Sequence, residues 1–151
     1  SPEPSTCPQI HSVVADARDI PLPDMCFDVV HSNSMLEHVG LWKDMLNVAT
    51  EIRRLAPRYF VQTPYYWFPI EPHAQTPFLH WLPEPLRARI VMARRSGYYG
   101  RAENIAVATE HVQSAFLLDR TQLHWLFPDA TILTERAFGL PKSIIAVKDA
   151  A

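Results

Sequence analysis

VVADARDIPLPDMCFDVVHSNSMLEHV, residues 13–39, decides the fold. Its first apolar run belongs to a short buried strand within residues 11–15 and stops at Asp16. DARDIPLPD, with Pro21 and Pro23, then reads as a loop or single helical turn. FDVVHS, residues 27–32, is a second short strand centred on Val29 and Val30. Cys26 precedes that strand and is expected to be a buried small hydrophobe.

Downstream, LWKDMLNVATEIRRLA (residues 41–56) repeats Leu41, Met45, Val48, Ile52 and Leu55 at three- and four-residue steps, which predicts one apolar helix face. Arg53 and Arg54 complement the dipole at its last turn, and Pro57 stops it. RYFVQT, residues 58–63, is a third strand closed by Pro64. Strand, helix and strand in this order predict a parallel βαβ unit with a right-handed crossover.

Residues 64–86 break the pattern with six prolines interleaved with Tyr65, Tyr66, Trp67, Phe68, Phe78 and Trp81. Such a segment is not a regular core element and reads as a lid or substrate-shaping insert. Residues 86–96 form a basic amphipathic helix, residues 97–104 are expected to be flexible, and the insert as a whole covers about 64–104. Asp119 N-caps a helix through residues 121–127. Residues 130–138 and 143–148 are two strands joined by Gly139–Leu140–Pro141–Lys142, an antiparallel hairpin.

Composition narrows the classes. The chain has 151 residues, 48% of them hydrophobic and 20% charged, with net charge −2, enough for one compact domain and no bulk reason for a nucleic-acid partner. No apolar run is long enough to cross a bilayer. Two cysteines without metal-like or redox-like spacing fit a reducing cytosol. There are 14 prolines and four glycines (Gly40, Gly97, Gly100 and Gly139), none in a GxG arrangement, so these residues contain no glycine-rich nucleotide loop.

The 13–39 stretch resembles a recurring pattern of the class I S-adenosylmethionine-dependent methyltransferases, type 11 in particular: an acidic-small pair after a strand, a Leu-Pro turn, a Phe-Asp strand start and a Leu-Glu-His-Val helix start. RRLAPRYFVQTP, LDRTQLHWLFPDATI and GLPKSIIAV extend the resemblance over roughly residues 12–64 and 118–148. It implies an α/β fold: the C-terminal part of a Rossmann-like sheet, mostly parallel with a final antiparallel hairpin, forming one partial domain over 1–151. The family's first strand, glycine-rich turn and ribose-holding acid belong upstream of Ser12 and match nothing in the first eleven residues. The expectation is therefore a truncated or partial domain with an open edge at residues 27–32, and weak cofactor binding by the isolated chain.

The resemblance also implies roles. Asp16 and Ala17 are similar to the adenine-reading pair, a carboxylate for the exocyclic amine and a backbone N–H for the ring nitrogen. Ser32 and Asn33 belong to the loop beneath the methionine part of S-adenosylmethionine. Methyl transfer needs positioning and, for an oxygen or nitrogen acceptor, proton removal. His38, Glu71 and His73 are the candidate groups for that removal, Glu71 and His73 sharing one face of an extended segment. The bland alternatives are a turn cap at Asp16, a packed His38 and a surface Glu71/His73 pair. No metal is expected, since this spacing supplies too few ligands. Tyr65, Trp67 and Phe68 either line a pocket for a small or lipid-like acceptor or form a satellite core. Arg87, Arg89, Arg94 and Arg95 suit a peripheral membrane contact through 86–96 or a solvated face. The competing class is a non-catalytic binding or assembly module that uses the open edge, as in a homodimer. A hydrolase on Glu71 and His73 ranks last for want of a nucleophile.

Overall fold

The computed structural model describes residues 11–95, 97–98 and 100–149. Strand β1 (Val30–Asn33) leads through a 3-10 turn (Leu36–His38) into helix α1 (Trp42–Leu55) and strand β2 (Tyr59–Pro64). Two short strands, β3 (Ile70–Glu71) and β4 (Thr76–Pro77), and a second 3-10 turn (Leu79–Trp81) follow. Then come helices α2 (Glu84–Ala93), α3 (Ile105–Gln113) and α4 (Arg120–Leu126) and strands β5 (Thr131–Ala137) and β6 (Leu140–Lys148). The architecture is mixed α/β, with one four-stranded sheet in the order β1-β2-β6-β5 and a separate β3-β4 pair.

The apolar stripe of α1 accounts for its packing. Met45, Val48, Ile52 and Leu55 are buried, whereas Leu41 precedes the helix and is exposed. The Asp44 carboxylate accepts the Leu41 N–H at the first turn. Met45, Val48 and Ile52 form one cluster with Tyr59 and Val61 of β2, Leu123 and Leu126 of α4, Phe127 and Ile144. Burying such a side chain contributes roughly 1.5–3 kcal/mol, so this cluster dominates the cohesion of the sheet with its helices.

β1 and β2 pair in parallel, as the βαβ reading requires, with Val30 opposite Tyr59 and Asn33 opposite Gln62. The sheet is nevertheless not mostly parallel. β6 inserts beside β2 and runs antiparallel to it, so two of the three ladders are antiparallel. The β5-β6 ladder follows from its two-residue connection: Phe138 and Gly139 both have positive φ, at 51° and 80°, so the chain reverses tightly.

The strand expected within residues 11–15 does not form, and Val13 and Val14 are 68% and 77% exposed. Instead, residues 16–27 are strapped along α1 from its N-terminal to its C-terminal end. Arg18 binds Asp44, the Ile20 N–H donates to Glu51, Arg54 donates to the Ile20 and Leu22 carbonyls, and the Phe27 N–H reaches the Leu55 carbonyl. Arg54 also donates to Glu51, holding its carboxyl below the ordinary range. Cys26 is exposed on this strap rather than buried. Among the described residues, β1 pairs with β2 alone and its outer edge carries no strand.

The segment after β2 has its own small core: Ala74 and Leu79, Ala88 and Val91 of α2, Ala102, and Ala108 and Val112 of α3. Helix α3 was not expected. It starts at Asn104, whose side chain accepts the Val107 N–H. The region expected to be flexible is tied down on both sides, the Tyr98 N–H donating to the His73 carbonyl and the Ala102 N–H to that of Val91. Ser96 and Tyr99 lie outside the described residues. Among the described residues, no helix is long and apolar enough to cross a membrane.

Candidate functional site

The turn after β1 and the segment after β2 meet above the C-terminal ends of the two parallel strands. Glu37 is buried in the 3-10 turn, one carboxylate oxygen (Oε2) accepting from Thr63 Oγ1 at 3.0 Å. Its second oxygen, Oε1, is buried and has no hydrogen-bond partner among the described residues. Next to it, His38 directs Nδ1 to the Ser114 carbonyl at 2.8 Å and Nε2 to His73 Nε2 at 3.1 Å. His73 in turn holds Glu71 Oε1 through Nδ1 at 3.0 Å.

These contacts determine the tautomers. A carbonyl only accepts, so His38 Nδ1 carries hydrogen. Burial pushes the Glu71 carboxyl up, but hydrogen bonds from His73 and from the Ala74 N–H outweigh it and hold the group below its ordinary value. Glu71 is thus an ionised acceptor, and His73 Nδ1 carries hydrogen as well. Two neutral rings would then oppose lone pair to lone pair at Nε2.

His73 and Glu37 open onto a cavity of about 510 Å³. Tyr65, Phe68 and Ile70 supply apolar walls, and Gln62, Lys142 and Ser143 supply a polar side. That side is knitted together, Gln62 Nε2 donating to Glu135 at 3.1 Å and the Ser143 hydroxyl donating to the same carboxylate. A mostly apolar concavity with a few convergent polar groups is the general form of a small-molecule site.

The structure therefore brings His38, Glu71 and His73 together, although His38 lies 35 positions before His73. Tyr65 and Phe68 line the cavity. Trp67 does not, being 57% exposed against Tyr66 and Trp81 on the outer surface. Asp16 and Ala17 also lie outside the cavity lining, on the strap near the N-terminal end of α1. Because α1 begins where the β1 turn ends, Asp16 is on the same rim as residues 32–34. Its carboxylate is exposed and gripped by Arg18, which lowers its pKa to about 2, first through the side-chain hydrogen bond and then through the Arg18 N–H. Arg18 bridges onward to Asp44 at 2.9 Å. Ala17 packs on the main core. Ser32 is buried, its hydroxyl without a partner among the described residues, while Asn33 is exposed and accepts from Ser34 Oγ at 3.2 Å.

The Ser114 carbonyl, Gln62, Lys142 and Ser143 escaped the sequence reading. For Gln62 a signal existed: β2 alternates, with Tyr59, Val61 and Thr63 buried on one face, which turns Gln62 to the other. The Ser114 carbonyl carries no side-chain signature.

No curated protein matches the sequence. Residues 2–58 match the family model described as a methyltransferase domain, a stretch that includes Asp16, Ala17, β1, Glu37, His38 and α1 and ends before the insert. On that stretch the chain is similar to the methyltransferase domain family.

Proposed function

We propose that the protein transfers a methyl group from S-adenosylmethionine to an oxygen or nitrogen of a small, partly apolar or lipid-like acceptor held in the 510 Å³ cavity. The observation that carries this reading is the Glu71–His73–His38 chain at the mouth of that cavity, next to sequence of the methyltransferase domain family. A Rossmann-like origin of the sheet is part of the proposal. It is supported by the parallel β1-α1-β2 unit and by the position of the candidate residues at the C-terminal ends of its strands.

The residues present fit part of the cofactor. The exposed Asp16 carboxylate with the Ala17 backbone suits an adenine ring, and the Ser32 hydroxyl, without a partner among the described residues, suits the methionine end together with Asn33. Asp16 would exchange one of its Arg18 hydrogen bonds for the adenine amine. S-adenosylmethionine supplies an activated methyl group on a sulfonium, whose C–S bond breaks with the electron pair going to sulfur. The chain's own residues do the rest. Tyr65 and Phe68 orient the acceptor, His73 Nε2 takes its proton as the new C–O or C–N bond forms, and Glu71 steadies the charged ring. Arg89 and the half-exposed Leu86 on α2, with Arg94 and Arg95 just past its end, are exposed and suit an anionic membrane surface that delivers a lipid-like acceptor.

The test uses S-adenosylmethionine carrying a labelled methyl group, the protein, and a fractionated extract of lipids and small metabolites. Label should enter a fraction, and the transfer should fall at least tenfold in both Asp16→Ala and His73→Ala. No transfer into any fraction, together with no calorimetric binding of S-adenosylhomocysteine, would overturn the reading. The second reading, a binding or assembly module, is favoured by the outer edge of β1, which no strand pairs among the described residues. It requires a concentration-dependent dimer or a bound partner strand at that edge.

A further inference from the structure

We infer that Glu37, His38 and His73 form a binding site for a divalent transition-metal ion of the zinc type. The inference stands on the geometry of these three side chains and goes beyond methyl transfer. One ligand atom from each lies within 4.8 Å of the others. The two histidine Nε2 atoms are 3.1 Å apart, and Glu37 Oε1 is 4.0 Å from His38 Nε2. Tetrahedral zinc with bonds of about 2.0–2.1 Å separates its ligand atoms by roughly 3.3 Å, so small adjustments close the set around one ion.

Three features favour a cation over a shared proton. Both Nδ1 atoms are already engaged with acceptors, the Ser114 carbonyl and Glu71, which leaves the two Nε2 lone pairs facing each other. This is the outer arrangement that orients metal-bound histidines, a carbonyl or carboxylate behind each ring. Glu37 Oε1 is the decisive atom. Glu37 is only 1% exposed, and Oε1 has no hydrogen-bond partner among the described residues. A proton between the rings leaves it unpaired, whereas a metal ion satisfies all three atoms at once. Two imidazoles and one carboxylate select zinc-like ions over magnesium or calcium, which prefer oxygen. Three protein ligands leave the fourth position open, and Glu37 and His73 both line the cavity, so that position faces the acceptor space; with the ion bound His73 Nε2 is a ligand, so it takes the acceptor's proton only in the ion-free protein.

The spacing of Glu71 and His73 supplied too few ligands for this reading. The fold completes the set by delivering Glu37 and His38 from the turn after β1.

The experiment titrates chelator-treated protein with Co2+ and then with Zn2+, in the absence of any methyl donor or acceptor. One equivalent of Co2+ should produce the visible absorption of a four-coordinate site, and Zn2+ should displace it. His73→Ala should weaken binding more than tenfold, Glu71→Gln about tenfold, and the exposed-site controls His31→Ala and His124→Ala not at all. Zn2+ should also raise the melting temperature of the wild type and not of His73→Ala. The inference is overturned if Co2+ gives no such spectrum, or if folded His73→Ala binds it as the wild type does. Because no methyl transfer is measured, failure of the proposed reaction and failure of the metal site register separately.

Discussion

His38 and His73 meet Nε2 to Nε2 at 3.1 Å with their rings nearly perpendicular, at 79°. One ring rides on the turn after β1 and the other on the proline-rich segment after β2. The contact therefore couples the methyltransferase-like part of the chain to its insert, and the two rings should act as a unit. His38→Ala and His73→Ala are each expected to lower methyl transfer by about 10²–10⁴-fold, and the double variant little further. Initial rates of label transfer for the four proteins in the cycle decide it. Additive losses would mean that the rings work independently.

Glu71 fixes the His73 tautomer while also accepting the Ala74 N–H. Glu71→Gln keeps the size of the side chain and removes the charge, and it can turn its amide nitrogen toward His73. We expect kcat to fall by about 10- to 100-fold with KM changed little, because the residue acts through His73 and does not line the cavity. Steady-state kinetics with a fixed acceptor fraction separates the two parameters. A change confined to KM would place Glu71 in contact with the acceptor.

Gly97 secures the same segment from behind. Its φ is +53°, and a Cβ there would lie 2.3 Å from the His73 carbonyl oxygen and 2.5 Å from the Ala74 carbonyl carbon. Both obstacles are backbone, so Gly97→Ala must displace the chain that carries His73. The expected cost is about 1–3 kcal/mol, measured by urea unfolding, with a parallel loss at the histidine pair. Gly139→Ala is the comparison: φ is +80° but nothing lies within 4 Å, so only the turn strain remains and His73 is untouched.

These predictions lean on features of unequal legibility. Helix α1, β2, α4 and the closing hairpin follow from residue periodicity and from local signals such as Asp119, whose carboxylate accepts the Gln122 N–H while Gln122 returns a bond to the Asp119 N–H. Val13 and Val14 mislead because an apolar run makes a strand only when a neighbour pairs with it, and among the described residues none does. Helix α3 hides because Ile105, Val107 and Val112 include β-branched residues that also suit a strand, leaving Asn104 as its clearest cue. His38, Glu71 and His73 are visible as candidates from residue type and spacing. Their meeting is not, since it depends on how a 35-residue excursion folds back, and on a backbone carbonyl at Ser114 that no side-chain pattern marks.

Asp119→Ala isolates a helix cap outside the cavity lining. The variant loses the acceptor for the Gln122 N–H and the reciprocal box at the start of α4, whose Leu123 and Leu126 are core residues. A loss of about 0.5–2 kcal/mol in unfolding free energy is expected, with Co2+ binding unchanged. An equal loss of Co2+ binding would show that α4 and the histidine site unfold together.

His80 makes stability depend on pH in a definite direction. Burial, above all, pushes its ring below the ordinary value of 6.5, partly opposed by the hydrogen bond to the Tyr66 carbonyl at 2.8 Å. The unfolded chain therefore binds this proton more readily than the folded one. Stability is full above the ordinary histidine range, declines as pH falls through about 6.5, and levels off below the folded value. His80→Gln retains a donor for the Tyr66 carbonyl and removes the titration. Between roughly pH 7.5 and 5.5 the wild type should lose more unfolding free energy in urea than the variant does, the other histidines contributing equally to both. Parallel pH profiles would show that the ring is not held neutral between Tyr66 and Trp81, and that the aromatic surface it supports is looser than the 5.4 Å His80–Trp81 contact implies.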